Sequence, residues 1–326
     1  TIFYEGEYSQ KDIETFKTKN SIVKIVDVYD SQVQELSSIG RSVSDMGTGN
    51  WIYLPWSQLL IHSVNQENYN CLRTNRNKLL ITDKEQNMLL KKNIGFTGLS
   101  VGNAIATNII YQGIGNIIRV AENDILETTN LNRIRAGIPN IGMNKIDIAL
   151  TEIFEINPYL EVDILNKGIT DESLESFIGN GKSKLDLIFD EIDTFAMKVK
   201  LRLHAKKNRI PLLMFTNLGD RVLVDIERYD NEIQPKLFNG HVNDDLLDEI
   251  LTVKKPSPKQ LNNWAISLVG KENIPQKALD SAMQVGKSLA GRPQLISTIS
   301  VSAGLATYFA RKILLGSNDI VSERKL

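Results

Sequence analysis

The residues most suggestive of chemistry begin with a short glycine turn, Gly98-Leu99-Ser100-Val101-Gly102. Small residues at the start of a helix let backbone N–H groups approach a phosphate, and the helix N-terminus adds partial positive charge. About twenty residues later stand Glu122, Asn123 and Asp124, at the place where a βαβ unit presents a carboxylate to a ribose. Glycine also serves simple strand-to-helix packing, but the spacing to these acids favours a nucleotide site.

Basic side chains follow the acids in two segments, Asn130-Leu131-Asn132-Arg133 and Gly142-Met143-Asn144-Lys145. A redox dinucleotide fold needs no Arg and Lys directly after its ribose acid, whereas a triphosphate needs its oxygen charge neutralised. Most Arg and Lys side chains are solvated surface charges, which is the alternative for Arg133 and Lys145. Their position after a phosphate turn favours the triphosphate.

A further acidic segment, Asp190-Glu191-Ile192-Asp193, follows an apolar strand-like run. The carboxyl edge of a parallel sheet forms the ligand crevice, so an aspartate there is placed to hold Mg²⁺ against phosphates. The alternative is a helix N-cap for the residues from 194 onward, a common use of Asp. The sequence alone leaves both roles open.

The elements that must position these residues alternate between strands and helices from residue 93 to about 230. This alternation predicts an α/β fold, a Rossmann-like, doubly wound and mainly parallel sheet with helices on both faces. The predicted strands are 93–97, 117–120, 161–165, 185–189, 212–215 and 221–226, and the predicted helices are 102–111, 144–156 and 194–207.

On either side of this fold the pattern changes. Residues 1–75 predict an N-terminal α/β extension, in which Trp51 and Trp56 are either buried aromatics or a recognition surface. Residues 76–230 form the expected nucleotide-binding domain. Residues 231–326 predict a mostly helical C-terminal part that ends in an amphipathic helix over 294–315.

Composition excludes several classes of protein. The chain has 326 residues, 42% hydrophobic and 24% charged, with a net charge of -1, so nothing favours nucleic acid or a membrane surface as a partner. The single cysteine, Cys71, excludes an internal disulfide and fits a cytoplasmic location. The first twenty residues contain no basic stretch followed by an apolar one, which predicts no export signal, and no run of eighteen apolar residues predicts a membrane span.

Taken in order with Arg73-Thr74-Asn75-Arg76, these segments resemble the ThiF/MoeB/HesA family of adenylating enzymes, relatives of the ubiquitin-activating enzymes. The turn resembles that of a subgroup with the sequence G-L-S-V-G. The resemblance covers roughly residues 70–230 and the closing helix from Gln294. It implies an adenylyltransferase that moves AMP from Mg·ATP to a carboxylate of a protein or peptide C-terminus or of a small acid, releasing pyrophosphate.

The resemblance also implies roles for individual residues. The turn, with Gly98, Ser100 and Gly102, faces the ATP phosphates, and Asp124 with Glu122 as its partner holds the ribose. Asn130, Arg133 and Lys145 contact the phosphates, and Asp193 is the metal-linked aspartate. Arg76 matches an arginine supplied across a dimer interface, which implies a homodimer.

The chain departs from the family pattern at several positions. Ser100 and Val101 replace glycines of many members, Glu122 replaces Asp, Ile134 replaces Gln and Lys198 replaces Arg. No cysteine follows Asp193, so the chain lacks the thioester-forming cysteine and the paired C-x-x-C zinc clip of many relatives, and no structural zinc is expected. An acyl adenylate would therefore pass to an external nucleophile or be used within one site.

Two alternatives remain open from the sequence. One is an NAD-binding Rossmann oxidoreductase in which Glu122 or Asp124 holds the adenosine ribose. The other is a catalytically silent ThiF-fold scaffold, because the glycine turn is altered and cysteines are missing. Nucleotide binding distinguishes them, since a scaffold gains no stability from Mg·ATP.

Overall fold

The computed structural model describes residues 1–20, 22, 24–231 and 233–326, and its contacts divide the chain into two compact units. The first unit comprises Thr1–Gln86 and Thr151–Tyr159, and the second comprises Asn87–Leu150 and Leu160–Leu326. The C-terminal residues from 231 onward thus belong to the same unit as the predicted nucleotide-binding strands.

The first unit is built on a four-stranded sheet in the order β1-β3-β4-β2. Strand β2 is parallel to β4, and the other pairs are antiparallel. The two tryptophans that the sequence singles out lie in the β3–β4 hairpin, where Trp51 is buried while Trp56 is 42% exposed. The elements that begin in this unit are β1 (Ile2–Phe3), α1 (Gln10–Lys19), β2 (Lys24–Asp27), α2 (Tyr29–Ser38), β3 (Asn50–Leu54), β4 (Leu59–Ser63), α3 (Gln66–Arg73) and α4 (Asp83–Leu89).

The second unit contains the sheet that the sequence pattern predicts. Its predicted helix 102–111 and strand 161–165 have those bounds, and the other predicted strands start within two residues of the observed ones. The elements that begin in it are β5 (Ile94–Thr97), α5 (Gly102–Tyr111), β6 (Ile117–Ala121), α6 (Lys145–Ile156), β7 (Glu161–Leu165), α7 (Leu174–Ile178), β8 (Leu187–Asp190), α8 (Phe195–Lys207), β9 (Leu212–Leu218), β10 (Arg221–Glu227), α9 (Asp244–Thr252), α10 (Pro258–Val269), α11 (Gln276–Ala282), α12 (Ile296–Leu314) and β11 (Glu323–Lys325).

The seven strands of this sheet follow the order β11-β10-β9-β8-β5-β6-β7. Strands β9, β8, β5, β6 and β7 are parallel, and β10 and β11 add an antiparallel edge. The doubly wound α/β prediction is confirmed. Thr97 pairs with Ala121 on one side and Asp190 on the other, so the segments after β5, β6 and β8 leave the sheet at one edge. The chain reverses direction of winding there, which is where such folds bind ligands.

A buried charged network fixes the end of β8. Arg202 of α8 is fully buried, pairs with Asp190, and donates from Nε to Glu227 Oε2 at 2.7 Å. Glu227 also accepts from the Phe238 N–H at 2.6 Å and from the Tyr229 hydroxyl at 2.5 Å. Because every charge in this cluster has a partner, removing one would leave another buried and unpaired, at a cost of about 3 kcal/mol or more.

No helix within the described ranges is both long and apolar enough to cross a membrane.

Candidate functional site

The glycine turn joins β5 to the N-terminus of α5, as the sequence predicts. Among the described residues, the backbone N–H groups of Ser100, Val101 and Gly102 have no acceptor. Gly98 lies in the left-handed region with φ +80°, and a Cβ there would come within 2.3 Å of the Glu191 carbonyl oxygen. Free N–H groups at a helix N-terminus suit an anion.

The two glycines of this turn are expected to differ sharply on substitution. Gly98→Ala combines backbone strain with a backbone clash, so we expect a loss of about 3 kcal/mol in the free energy of unfolding. Gly102→Ala is the matched control: its Cβ would meet Glu191 Cγ at 3.8 Å, an ordinary contact, and alanine favours helix. Urea unfolding of both variants measures the difference, and equal losses would contradict it.

The Glu122 carboxylate braces the turn against the end of β6. Its Oε2 accepts from the Leu99 N–H at 2.7 Å, and its Oε1 accepts from the N–H groups of Asn123 and Asp124 at 2.7 and 2.9 Å. The residue is 6% exposed. Glu122 is therefore engaged by backbone donors, while the Asp124 side chain, 53% exposed, is the carboxylate that faces solvent.

Lys145 links three segments of the site. Its Nζ donates to Asp124 Oδ2 at 2.8 Å and to Ser100 Oγ at 3.0 Å, and its backbone N–H donates to the Asp124 carbonyl at 2.9 Å. The side chain is only 7% exposed. The structure thus brings together the glycine turn, Asp124 and Lys145, which the sequence predicts for one site.

Asn130 and Arg133 lie on the loop between β6 and α6. Asn130 is buried, and its Oδ1 accepts from the Glu127 N–H at 3.1 Å. Arg133 donates from Nη1 to Thr129 O and Asn132 Oδ1, both at 3.0 Å, while its buried Nε has no acceptor among the described residues. Burial lowers the pKa of Arg133, and the charge of Asp193 opposes this shift. Arg133 therefore lies within electrostatic reach of Asp193 and keeps a donor unused.

The two aspartates after β8 have different environments. Burial alone would raise the pKa of Asp190, but the charges of Lys198 and Arg202 outweigh it, so the pKa is lowered. Lys198 Nζ lies 3.2 Å from Asp190, so this lysine is also paired within the buried network. Asp193 is exposed and is not a side-chain cap of α8. Only Asp193 of this pair is open to a ligand.

Glu191 lies between these aspartates, and the sequence did not predict a role for it. Burial raises its pKa to about 8, and its Oε1 accepts from the Phe215 N–H at 2.9 Å. Its side chain packs beside Gly102 at the start of α5. A strand-end Glu in a D-x-x-D segment was the available signal, but burial depends on packing that the sequence does not show.

Replacing Glu191 with Gln is expected to change how stability depends on pH. The folded-state pKa of about 8 lies above the ordinary value of 4.5, so folding favours the protonated form. That contribution is complete below pH 4.5 and is lost toward pH 8, at roughly 1.4 kcal/mol per pH unit. Without Mg²⁺ or nucleotide, urea unfolding should show wild type falling relative to Glu191→Gln over this range. Parallel profiles would contradict the assignment.

Arg76 belongs to the first unit, whereas the other predicted site residues belong to the second. It lies exposed on a short 3₁₀ turn, Asn75–Asn77. Leu79 and Leu80 follow it, 97% and 85% exposed, and Leu79 has φ +72°. Two exposed leucines beside an exposed arginine form an apolar surface of the kind that a partner often covers.

The sequence is similar to proteins of a known family. The ThiF family profile matches residues 74–220. An uncharacterised protein of Mycobacterium tuberculosis is 35% identical over 82% of this chain and 36% of its own length. The tRNA threonylcarbamoyladenosine dehydratase of Bacillus subtilis is 32% identical over 42% of this chain and 54% of its own length. The chain thus spans about a third of the first relative and half of the second.

Among solved structures, Escherichia coli MccB with ATP is similar with a TM-score of 0.52 and 18% identity. The match covers 76% of this chain and 65% of MccB. At this identity the similarity concerns the fold.

Proposed function

Residues 74–220 belong to the ThiF family, and from that premise we propose that the protein is an adenylyltransferase that activates a carboxylate with Mg·ATP. The observation that carries the proposal is the convergence, in one unit, of free N–H groups at the start of α5 with Asp124, Arg133, Lys145 and Asp193. This set combines donors for phosphate oxygens, a carboxylate for ribose hydroxyls and an exposed aspartate.

In the proposed reaction, a carboxylate oxygen of the substrate forms a bond to the α-phosphorus of ATP. The bond between that phosphorus and the bridging oxygen of the β-phosphate breaks, and pyrophosphate leaves with the electron pair. No net proton is transferred in this step. A carboxylate is a poor electrophile, and the mixed anhydride gives its carbonyl carbon a good leaving group.

In this proposal, residues of the second unit bind the phosphates, bind the ribose and neutralise charge. The N–H groups of the turn and Lys145 bind phosphate oxygens, and Asp124 accepts from the ribose while Glu122 holds the Asp124 backbone in place. The half-buried Arg133 guanidinium neutralises charge that builds on the phosphates, and Asn130 supports its loop. Positioned positive charge is the main source of acceleration in such displacements.

Magnesium is part of the proposal, and the residues fit it. Mg²⁺ is held in proteins by one or two carboxylates together with substrate phosphates and water. Asp193 is exposed, whereas Asp190 is used by Lys198 and Arg202. Within the described ranges no three His, Cys, Asp or Glu side chains form a metal cluster. Asp193 would hold the ion, which when bound supplies charge neutralisation.

We also propose a cytoplasmic homodimer in which Arg76 reaches the site of the partner subunit. The exposed Leu79 and Leu80 next to Arg76 support this, because burying them against a second copy removes apolar surface from water. A cytoplasmic location supplies Mg·ATP and keeps the single half-buried Cys71 reduced.

The N-terminal unit is proposed to recognise the substrate. It contains an open cleft of about 490 Å³ whose lining includes the amides Asn50, Asn65, Gln66 and Asn70 and the carboxylates Glu5 and Glu67. Amide side chains pair with both N–H and C=O groups of an extended chain. This polar lining supports the body of a peptide or protein substrate over a small apolar acid, with the reacting carboxyl terminus outside the cleft, because Glu5 and Glu67 repel a carboxylate.

The test of the proposed function is exchange of labelled pyrophosphate into ATP. Purified protein, Mg·ATP and either synthetic peptides with free C-termini or short carboxylic acids are compared, and exchange should require both Mg²⁺ and a carboxylate. Calorimetry with ATP and with NAD is run in parallel. Binding of NAD without binding of ATP would replace the proposal with the oxidoreductase, and stable protein that binds neither would favour the scaffold.

A further inference from the structure

The ammonium of Lys145 is held by two groups of different character. Asp124 is 53% exposed and belongs to the loop after β6. Ser100 is half-buried at the start of α5, between Leu99 and Val101, which are both buried. The serine hydroxyl is therefore the more firmly placed of the two anchors, while the carboxylate carries the charge.

In the proposed function, nucleotide binding affects the two contacts of Lys145 differently. A ribose that donates hydroxyl hydrogens to Asp124 draws on the same carboxylate that holds Lys145. Ser100 Oγ makes no hydrogen bond to that carboxylate among the described residues, so its 3.0 Å bond from Lys145 Nζ does not depend on Asp124 and can persist when a nucleotide binds. The hydroxyl can then keep the ammonium beside the free N–H groups of the turn.

We propose that Ser100 is a positioning residue that holds the Lys145 ammonium beside the N-terminus of α5, so that lysine and turn bind the same phosphate group. This inference rests on the proposed function. An ammonium has three hydrogens, and among the described residues two of them have acceptors. The third is left for a phosphate oxygen, next to the N–H groups of Ser100, Val101 and Gly102.

The serine also explains how an altered turn can still bind phosphate. Ser100 and Val101 carry side chains between the two glycines of the turn, so here the backbone has less freedom to approach a phosphate than glycine would give. The hydroxyl compensates by fixing a charged donor at the same place. The hydroxyl oxygen of Ser100 is thus expected to be the important group, and glycine at position 100 should weaken ATP binding.

The test compares ligands with and without phosphates in the full chain. Calorimetry with Mg·ATP and with adenosine is carried out on wild type, Ser100→Ala, Ser100→Gly and Ser100→Thr. We expect Ala and Gly to weaken ATP binding about tenfold, because a hydrogen bond to a charged group is lost, and to leave adenosine unchanged. Thr keeps the hydroxyl and should bind ATP within about twofold of wild type.

A double-mutant cycle separates positioning from a general structural role. If Ser100 acts through Lys145, Ser100→Ala should have no further effect on ATP binding in a Lys145→Ala background. Additive losses, equal losses for ATP and adenosine, or wild-type ATP affinity in Ser100→Ala would each overturn the inference. Wild-type protein that fails to bind ATP would instead overturn the proposed function itself, and the inference would fall with it.

Discussion

Asp193→Ala is expected to lower carboxylate-dependent pyrophosphate exchange at least about a hundredfold, with the unfolding free energy unchanged. Asp193 is exposed after β8 and near Arg133, so its loss removes no buried contact. Its neighbour Asp190 cannot substitute, because Lys198 and Arg202 occupy it in the core. The measurement is the exchange rate at several Mg²⁺ concentrations, together with urea unfolding.

Two variants control this result. Asp319→Ala removes an exposed carboxylate in the segment after α12, where it accepts a hydrogen bond from the Ser317 hydroxyl, and should leave exchange unchanged. Asp193→Asn keeps the shape but loses the charge and should be nearly as inactive as alanine. Full activity of Asp193→Asn would show that the carboxylate charge is not needed at this position, and an equal loss in Asp319→Ala would show that the effect is not specific to Asp193.

The sheet could be predicted because its central strands are mostly apolar and alternate along the chain with helices. Strands β5, β6 and β8 are entirely buried and mostly apolar, and the exception at the centre of β6, Arg119, is buried because it pairs with Asp163. Helix α6 ends at Ile156, before Asn157-Pro158, since proline disfavours helix in the residue that precedes it. These signals are local, so a single sequence carries them.

The roles of the acidic residues could not be assigned in the same way, because they depend on which donors packing brings near. Glu122 and Asp124 are two residues apart, yet one accepts three backbone N–H groups and the other pairs with Lys145 at the surface. Asp190 and Asp193 separate likewise into core and solvent. The spacing predicted a cluster of acids at this edge of the sheet. Tertiary contacts are needed to distinguish a carboxylate that is hydrogen-bonded within the protein from one that is exposed to a ligand.

Arg76→Ala is expected to reduce exchange about a thousandfold, because a guanidinium that neutralises charge in the displacement contributes about that factor. Arg76 is exposed, so the variant should fold as wild type does. Lys78→Ala, a nearby exposed cation whose partner Asp83 lies 3.7 Å away, is the matched control and should retain activity. Comparable losses in both variants would indicate damage to this turn instead of loss of a reacting group.

A mixture of two inactive variants tests whether Arg76 acts across a dimer. If each site combines one chain's Asp193 with the partner's Arg76, a dimer of Arg76→Ala and Asp193→Ala chains has one intact site and one with both changes. With free exchange of subunits at equal amounts, about a quarter of wild-type activity should return. A chain that uses its own Arg76 gives no intact site in any pairing, so activity would stay near zero. Recovery on mixing is therefore expected only for an arginine supplied in trans, and sedimentation of the mixture measures how many dimers formed.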